Sequence, residues 1–477
     1  MCKEHEISAE ILTQHPAPDS QTLDELLKQE ITESNRKLIV LDDDPTGVQT
    51  VHNVSVYTGW DRESIRAGFR EKNKLFFILT NSRSFTVEQT TEAHREIIKN
   101  ITSVAKEMKM DYLVISRGDS TLRGHYPLET RLLKEGIEKR ENYCVDGEIF
   151  CPFFKEGGRF TIDNIHYVRY GDDMIPVGKT EFARDKTFGY SSSDLCEFIE
   201  EKNNGEFPAG SVTCVSLSSL RARDLDGITE QLMNVKSFHK VVVNAIDYND
   251  IKVFCIALYR AMKCGKHFLF RTAASLVKEI GGIQSRPLLT RNEMLLSKNR
   301  NGGIVVVGSH TQKTNRQLEA LLGLSGLEEI PFNSDIVLMG EEALRLEIES
   351  TASQIDKAVK TGKTAVVYTK RDLLIVESDT KEKALMRSVK ISDAVQSVIG
   401  NLQETPSFVV AKGGITSSDI GTKALRVKRA NVLGQLRPGI PVWQTGEESK
   451  FPQMPYVIFP GNVGETDTLK EVVQALL

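Results

Sequence analysis

Residues 38–50, "LIVLDDDPTGVQT", decide how the chain is read: four apolar residues run straight into Asp42, Asp43 and Asp44, and Pro45, Thr46 and Gly47 then turn the backbone. A continuous apolar run predicts a strand covered on both faces, the kind found in parallel sheets flanked by helices. The carboxylates then fall in the loop at the strand's carboxyl end, where open α/β sheets bind ligands. Runs of the same form recur at "VSVY" (54–57), "LFFIL" (75–79), "YLVIS" (112–116), "VTCVS" (212–216) and "VVVNA" (241–245). Polar residues follow them closely in "LTNSRSFT" (79–86) and "SRGDSTLRGH" (116–125), so Asp43, Asp44, Arg83, Arg117, Asp119, Ser120, Thr121 and Arg123 gather at strand ends. Arginine offers a planar fork to a carboxylate, and aspartate accepts hydrogen bonds from hydroxyls or takes up their protons. An acidic, hydroxylated small molecule is the ligand such a mixture suits.

Composition narrows the class. With 477 residues, 40% of them hydrophobic and 26% charged, the chain can bury more than one core, and two domains are expected. Lys and Arg number 61 against 65 Asp and Glu, and the net charge of -4 offers no general attraction for nucleic acid or an anionic membrane. No stretch reaches the about 18 apolar residues of a membrane span. The seven cysteines are an odd number without a C-x-x-C pair, which argues against a disulfide framework and a zinc site. A cytoplasmic protein is expected.

Residues 1–36 read as an N-terminal extension with one amphipathic helix bearing Leu23, Leu26, Leu27 and Ile31 on one face. Residues 37–283 form the first predicted domain, 284–303 a polar, basic linker, and 304–477 a second domain. In the second, glycine loops follow apolar runs three times: "VVVGSHTQKT" (305–314), "FVVAKGGITSSD" (408–419) and "VIFPGNVGETD" (457–467). Such loops expose backbone N–H groups to anionic ligands. The predicted fold is α/β, with two three-layer αβα domains, mainly parallel sheets and an active site in the interdomain cleft.

Other signals are set aside. Neither "GKT" (178–180 and 362–364) has the earlier glycine of a P-loop, and no G-x-G-x-x-G follows a strand. His125 and His166 receive no metal role. Gly158, Arg159 and Thr161 in "GGRFTIDNIHYV", like Thr180, Phe182 and Asp185 in "GKTEFARD", are read as structural. The opening stretch itself admits two chemistries. As D-x-D-x-T it has the form of a magnesium-dependent haloacid-dehalogenase-like phosphatase, with Asp42 the nucleophile, and "FFILTNS" (76–82) and "YGDDM" (170–174) echo other motifs of that group. A regulator that binds a nucleotide or metabolite without turnover is the alternative outside enzymes.

As D-D-x-T-G, the stretch opens a different series. "DDPTG", "NSRS", "DSTLRG", "GSHTQKTNRQ", "GGIT" and "PGNVG" stand in this order over about residues 37–470, and in them the chain resembles the four-carbon acid sugar kinases. The resemblance implies an ATP-dependent kinase, using Mg²⁺, that phosphorylates a hydroxyl of a small acidic sugar of tetronate or 3-oxo-tetronate type. A homo-oligomer is compatible with it. The resemblance assigns Asp43, Arg83, Asp119, Ser120, Thr121, Leu122 and Arg123 to the substrate, and Ser309, Gly413, Gly414, Ile415, Thr416 and Gly461 to the nucleotide. Asp43 or Asp44 is the expected catalytic base, with Asp119 in reserve, and the metal ligands are not assigned. Two positions depart from the family pattern: Asp42, where members carry a small apolar residue, and Ile415, where many carry an acidic one.

Overall fold

The computed structural model describes residues 4–14, 20–295, 299–308, 310–371, 374, 376, 381–461 and 463–477. The chain divides into two compact units, Met1–Thr50 with Gly59–Ser285, and Val51–Thr58 with Arg286–Leu477.

The first unit is built on a parallel sheet whose strands lie in the order Thr213–Val215, His239–Val243, Gly147–Cys151, Phe268–Thr272, Tyr112–Arg117, Lys37–Asp42 and Leu75–Leu79. The apolar runs explain it. Every residue of Lys37–Asp42, Leu75–Leu79, Gly147–Cys151 and Phe268–Thr272 is buried, so the strands have no solvent face for a polar residue to occupy. Helices flank the sheet, among them Val87–Met108, opened by a capping box between Thr86 and Gln89, and Tyr248–Lys263, opened by Asp247 and Asp250. The predicted N-terminal helix spans Ser20–Glu33, buries Leu23 and Leu27, and packs on Tyr248–Lys263. A small antiparallel sheet, Ile7–Ser8, Asp173–Pro176, Ile165–Tyr170 and Arg159–Ile162, completes the unit.

The second unit has a mixed sheet. Parallel strands Leu327–Phe332, Thr364–Thr369, Ile304–Val307, Val409–Lys412 and Pro455–Phe459 continue into antiparallel strands Ile440–Thr445, Arg429–Arg437 and Val54–Tyr57. The antiparallel portion was not anticipated, because Arg429–Arg437 alternates buried with partly exposed residues instead of forming a continuous run. "VSVY" is a strand, as expected, but its partner is Arg429–Arg437, and it belongs to the second unit. Val305, Val307, Val366, Val410, Val457 and Phe459 form one core with Leu469, Val472 and Val473 of the helix Thr468–Gln474. Among the described residues, no helix is long and apolar enough to cross a membrane.

Candidate functional site

Register brings the polar loops of the first unit to one edge. Asp42 stands opposite Leu79 on one side and Arg117 on the other, and Arg117 stands opposite Thr272. Backbone bonds tie the loops at that level: Thr80 N donates to Asp42 O (2.8 Å), Asp43 N to Arg117 O (3.2 Å), Arg83 N to Asp43 O (3.3 Å) and Gly118 N to Thr272 O (2.9 Å).

The three aspartates of the opening stretch are not equivalent. Asp42 is 1% exposed and pairs with Arg117 Nη1 at 3.2 Å; burial pushes its carboxyl up to about 7, with Arg117 opposing and Asp43 and Asp44 adding to the rise. A Cβ on Gly47 would lie 2.0 Å from both Asp42 oxygens, so the glycine of "DDPTG" is required by the first aspartate. Asp43 receives a two-pronged bond from Arg83, Nη2 at 2.6 Å and Nε at 3.2 Å, with Arg117 Nη1 at 3.7 Å. Asp44 is more open. Its Oδ1 accepts from Thr46 N (2.8 Å) and Oγ1 (2.5 Å), while Oδ2 has Arg83 Nη1 at 3.6 Å. Burial works against the Arg83 charge, but Asp43, Asp44 and Asp119 outweigh it and raise its pKa well above the ordinary guanidinium value.

The "DSTLRG" loop joins the same cluster. Asp119 accepts from Thr121 Oγ1 and from Arg123 Nε (2.7 Å); burial would raise its carboxyl, but Arg123 and Arg83 hold it well below the usual carboxylate range. Leu122 takes a left-handed backbone (φ 68°) and turns its side chain into an apolar cluster with Tyr126, Phe150 and Phe198, so its side chain serves the core. The Ser120 carbonyl accepts from His166 Nε2 (2.8 Å), whose Nδ1 meets Thr161 Oγ1 (2.9 Å); burial lowers this imidazole to about 4, and neutral His166 props the loop. Tyr190 Oη donates to Thr121 O (2.7 Å).

Several participants were missed in the sequence. Arg271, at the end of the apolar run "FLFRT", bonds Glu129 (2.8 Å) and Arg123 O (3.0 Å) and fills the space that a Cβ on Gly118 or Gly124 would need. An arginine closing an apolar run was the available signal. The residues read as structural in "GGRFT" and "FARD" also arrive here. Phe182 lies beneath both Arg123 (5.0 Å) and Arg159 (5.7 Å), and Asp185 stands 3.9 Å from Arg123. "YGDDM", by contrast, is the tip of an exposed hairpin, with Tyr170 paired to Asp173.

In the second unit, Val307, Lys412 and Phe459 are neighbours in register, so the three glycine loops also leave one sheet edge together. They line a cavity of about 530 Å³ that includes Gly308, Gly413, Gly414, Ile415, Thr416 and Gly461, with Val389, Asp393, Asp419 and Lys423. That volume suits a nucleotide-sized ligand. Ser309 lies outside the described residues. Gly413 adopts φ 120°, and a Cβ on Gly308 would meet Thr416 Oγ1 at 2.3 Å, so both positions need glycine. Buried Lys412 donates to Pro460 O (2.7 Å) and Gly461 O (3.2 Å), bracing one loop from the base of another, and burial lowers its ammonium to about 7. Among the described residues no three His, Cys, Asp or Glu side chains cluster to hold a metal. The cavity's carboxylates, Asp393 and Asp419, both pair with Lys423, at 3.2 and 2.9 Å. One or two carboxylates suit a Mg²⁺ that takes its remaining oxygens from phosphates and water, so this set fits an ion carried by a nucleotide and not one caged by protein.

Comparison with known proteins also finds two parts, with Val51–Thr58 inside the first match. Residues 38–280 match a family model described as a sugar-binding N-terminal domain, and residues 304–469 one described as a nucleotide-binding C-terminal domain. Among solved structures, the chain is similar to a Haemophilus influenzae protein of the DUF1537 family, with 17% identity over 92% of this chain and 100% of that one and a TM-score of 0.60. It is also similar to a Salmonella typhimurium LT2 protein named "putative tRNA synthase", with 14% identity over 91% and 98% and a TM-score of 0.63. Identities this low speak to the fold alone. No curated protein matches the chain. With both domain models matched in order across most of its length, the chain belongs to the four-carbon acid sugar kinase family.

Proposed function

We propose that the protein transfers the terminal phosphoryl group of ATP to a hydroxyl of a small acidic sugar, of the four-carbon tetronate or 3-oxo-tetronate type. The observation that carries this reading is the cluster of Asp43, Asp44, Asp119, Arg83 and Arg123 at the strand ends of the sugar-binding domain. Its guanidinium groups supply positive charge that suits an acidic ligand, and its aspartates suit the hydroxyls of the same molecule. Asp44 is the preferred base: Arg83 occupies both oxygens of Asp43, while Asp44 Oδ2 keeps a longer 3.6 Å contact and more exposure. In that role Asp44 orients the attacking hydroxyl and accepts its proton. Asp43 and Asp119 hold Arg83 and Arg123 in place around the sugar. Gly308, Gly413 to Thr416 and Gly461 receive the nucleotide, with Asp393 and Asp419 the carboxylates available to its Mg²⁺, which would neutralise phosphate charge.

The phosphatase reading loses its support at Asp42. A nucleophile must reach substrate, whereas this carboxylate is 1% exposed, faces Gly47 and is held by Arg117. A screen of ADP release over four-carbon sugar acids tests the proposal. One acid should drive ATP consumption, and Asp44→Asn should lower kcat by about 10²- to 10⁴-fold with little change in ATP affinity. Dephosphorylation of a sugar acid phosphate without nucleotide, or ligand binding with no turnover on any acid, would overturn it.

A further inference from the structure

Among the described residues, Arg159 is the arginine of this cluster that has no carboxylate partner, although Arg117 Nε, like its own Nε, lacks a hydrogen-bond acceptor. It begins the strand Arg159–Ile162, and paired backbone bonds with Phe154 (2.9 and 3.1 Å) fix its peptide. Two glycines precede it: a Cβ on Gly157 would fall 3.3 Å from Arg159 Nη1 and 2.3 Å from the Phe154 ring, and Gly158 has φ 72°. The chain is therefore shaped to admit this guanidinium, which lies over Phe182 beside Arg123.

The other arginines have acceptors: Arg83 has Asp43, Arg117 has Asp42, Arg123 has Asp119 and Arg271 has Glu129. Arg159 is half-buried, its Nε is withdrawn from water without a hydrogen-bond acceptor, and no carboxylate lies within ion-pair distance among the described residues. Asp119, whose field reaches it, is shared with Arg83 and Arg123, and Glu181 accepts from Tyr170 Oη at 3.0 and 3.1 Å. Burial lowers the Arg159 pKa, the direction expected of a guanidinium that lacks a close counter-charge. A donor withdrawn from water without an acceptor is costly, and a ligand anion that reaches Nε removes that cost.

We infer that Arg159 binds the carboxylate of the acid sugar, with Phe182 setting the plane of the guanidinium, and so selects sugar acids over neutral polyols of the same length. The inference rests on the sugar acid kinase reading above. Arg159→Met keeps the side chain's bulk and removes its charge, and Arg159→Lys keeps the charge without the fork. ADP release is measured for each with the best four-carbon acid and with the corresponding alditol, alongside calorimetric binding of the acid without nucleotide. Arg159→Met should raise the KM and Kd for the acid by about 10- to 100-fold, leave the alditol and ATP constants unchanged, and bring acid and alditol to similar kcat/KM. Arg159→Lys should fall between. Unchanged acid constants, or equal losses on acid and alditol, would refute the assignment while leaving the kinase standing. Wild-type protein that turns over no sugar acid refutes the kinase and this assignment together.

Discussion

Replacing Asp42 by Asn tests the electrostatic account of the opening stretch. Asparagine matches the shape of the protonated acid and cannot ionise. In the folded protein the carboxyl titrates near 7 against an ordinary 3.8, a rise of about three pH units, which at ~1.36 kcal/mol per unit amounts to about 4 kcal/mol. The sign follows from proton counting. Between these values the native state holds a proton that the unfolded chain has released, so stability from this group is full below about pH 3.8 and is lost as the pH rises through 7. Asp42→Asn lacks that loss. Its stability relative to wild type should therefore rise by about 4 kcal/mol from about pH 3 to about pH 8, whatever its absolute offset from losing the Arg117 contact. Trp60, in the first unit, and Trp443, in the second, are the two tryptophans, so urea unfolding followed by fluorescence in a Trp443→Phe background reports on the sugar-binding unit. ATP-dependent turnover should survive in Asp42→Asn. A stability difference that does not change with pH would refute the buried-acid account, and complete loss of turnover in a stably folded variant would return Asp42 to the chemistry.

Other perturbations address neighbouring parts. Gly47→Ala forces a methyl into the Asp42 carboxylate and should cost about 1–3 kcal/mol in urea unfolding, with a raised KM for the sugar. Lys412→Met removes the brace on the Gly461 loop and should weaken ATP binding about tenfold or more by calorimetry, leaving sugar binding unchanged; equal weakening of both ligands would contradict the local role. His166→Phe deletes the prop under Ser120 and should raise the sugar KM more than it lowers kcat, and an ATP effect of the same size would speak for general unfolding instead. Cys196 and Cys214 place their sulfurs 3.4 Å apart, so hydrogen peroxide should convert the two thiols to one disulfide with release of two waters, read as the loss of two hydrogens from the linked peptides. Oxidation stopping at separate sulfur acids would show that the pair cannot close.

The parallel strands were legible because burial on both faces gives uninterrupted apolar runs, Leu38 to Leu41 within Lys37–Asp42 and the whole of Leu75–Leu79 and Ile304–Val307. Arg429–Arg437 escaped the same search because its alternation is the mark of a sheet with one covered face. The partner of Val54–Tyr57 could not be read at all, since four residues carry no record of a strand nearly four hundred positions away. At the candidate site, loops that follow strands were found, because strand ends can be counted along the chain. Arg159, Phe182 and Asp185 were passed over, because what marks them is a neighbour in space: Phe182 matters through the two guanidinium groups above it. The nearby thiols of Cys196 and Cys214 were invisible for the same reason, since an odd count without C-x-x-C spacing says nothing about distance in the fold.

The run of three aspartates illustrates how position along a strand sorts chemically identical residues. Asp42 is the last residue of its strand and still lies inside the sheet, so its carboxyl meets Arg117 and the bare backbone of Gly47 rather than a ligand. Asp43 is one peptide further out and is tied to the next loop through Arg83; Asp44, a second peptide out, bonds its own turn through Thr46 and keeps one oxygen open. Exposure follows that order, with side chains 2%, 3% and 15% exposed. The buried carboxylate also lies beside the loop that carries the proposed base, and its ionisation adds a negative charge there as the pH passes about 7. A charge that appears beside the site changes the electrostatic field on any group reacting there. The pH profile of turnover should therefore carry a step near pH 7 in wild type that disappears in Asp42→Asn, and identical pH profiles for the two proteins would show that Asp42 acts on stability alone.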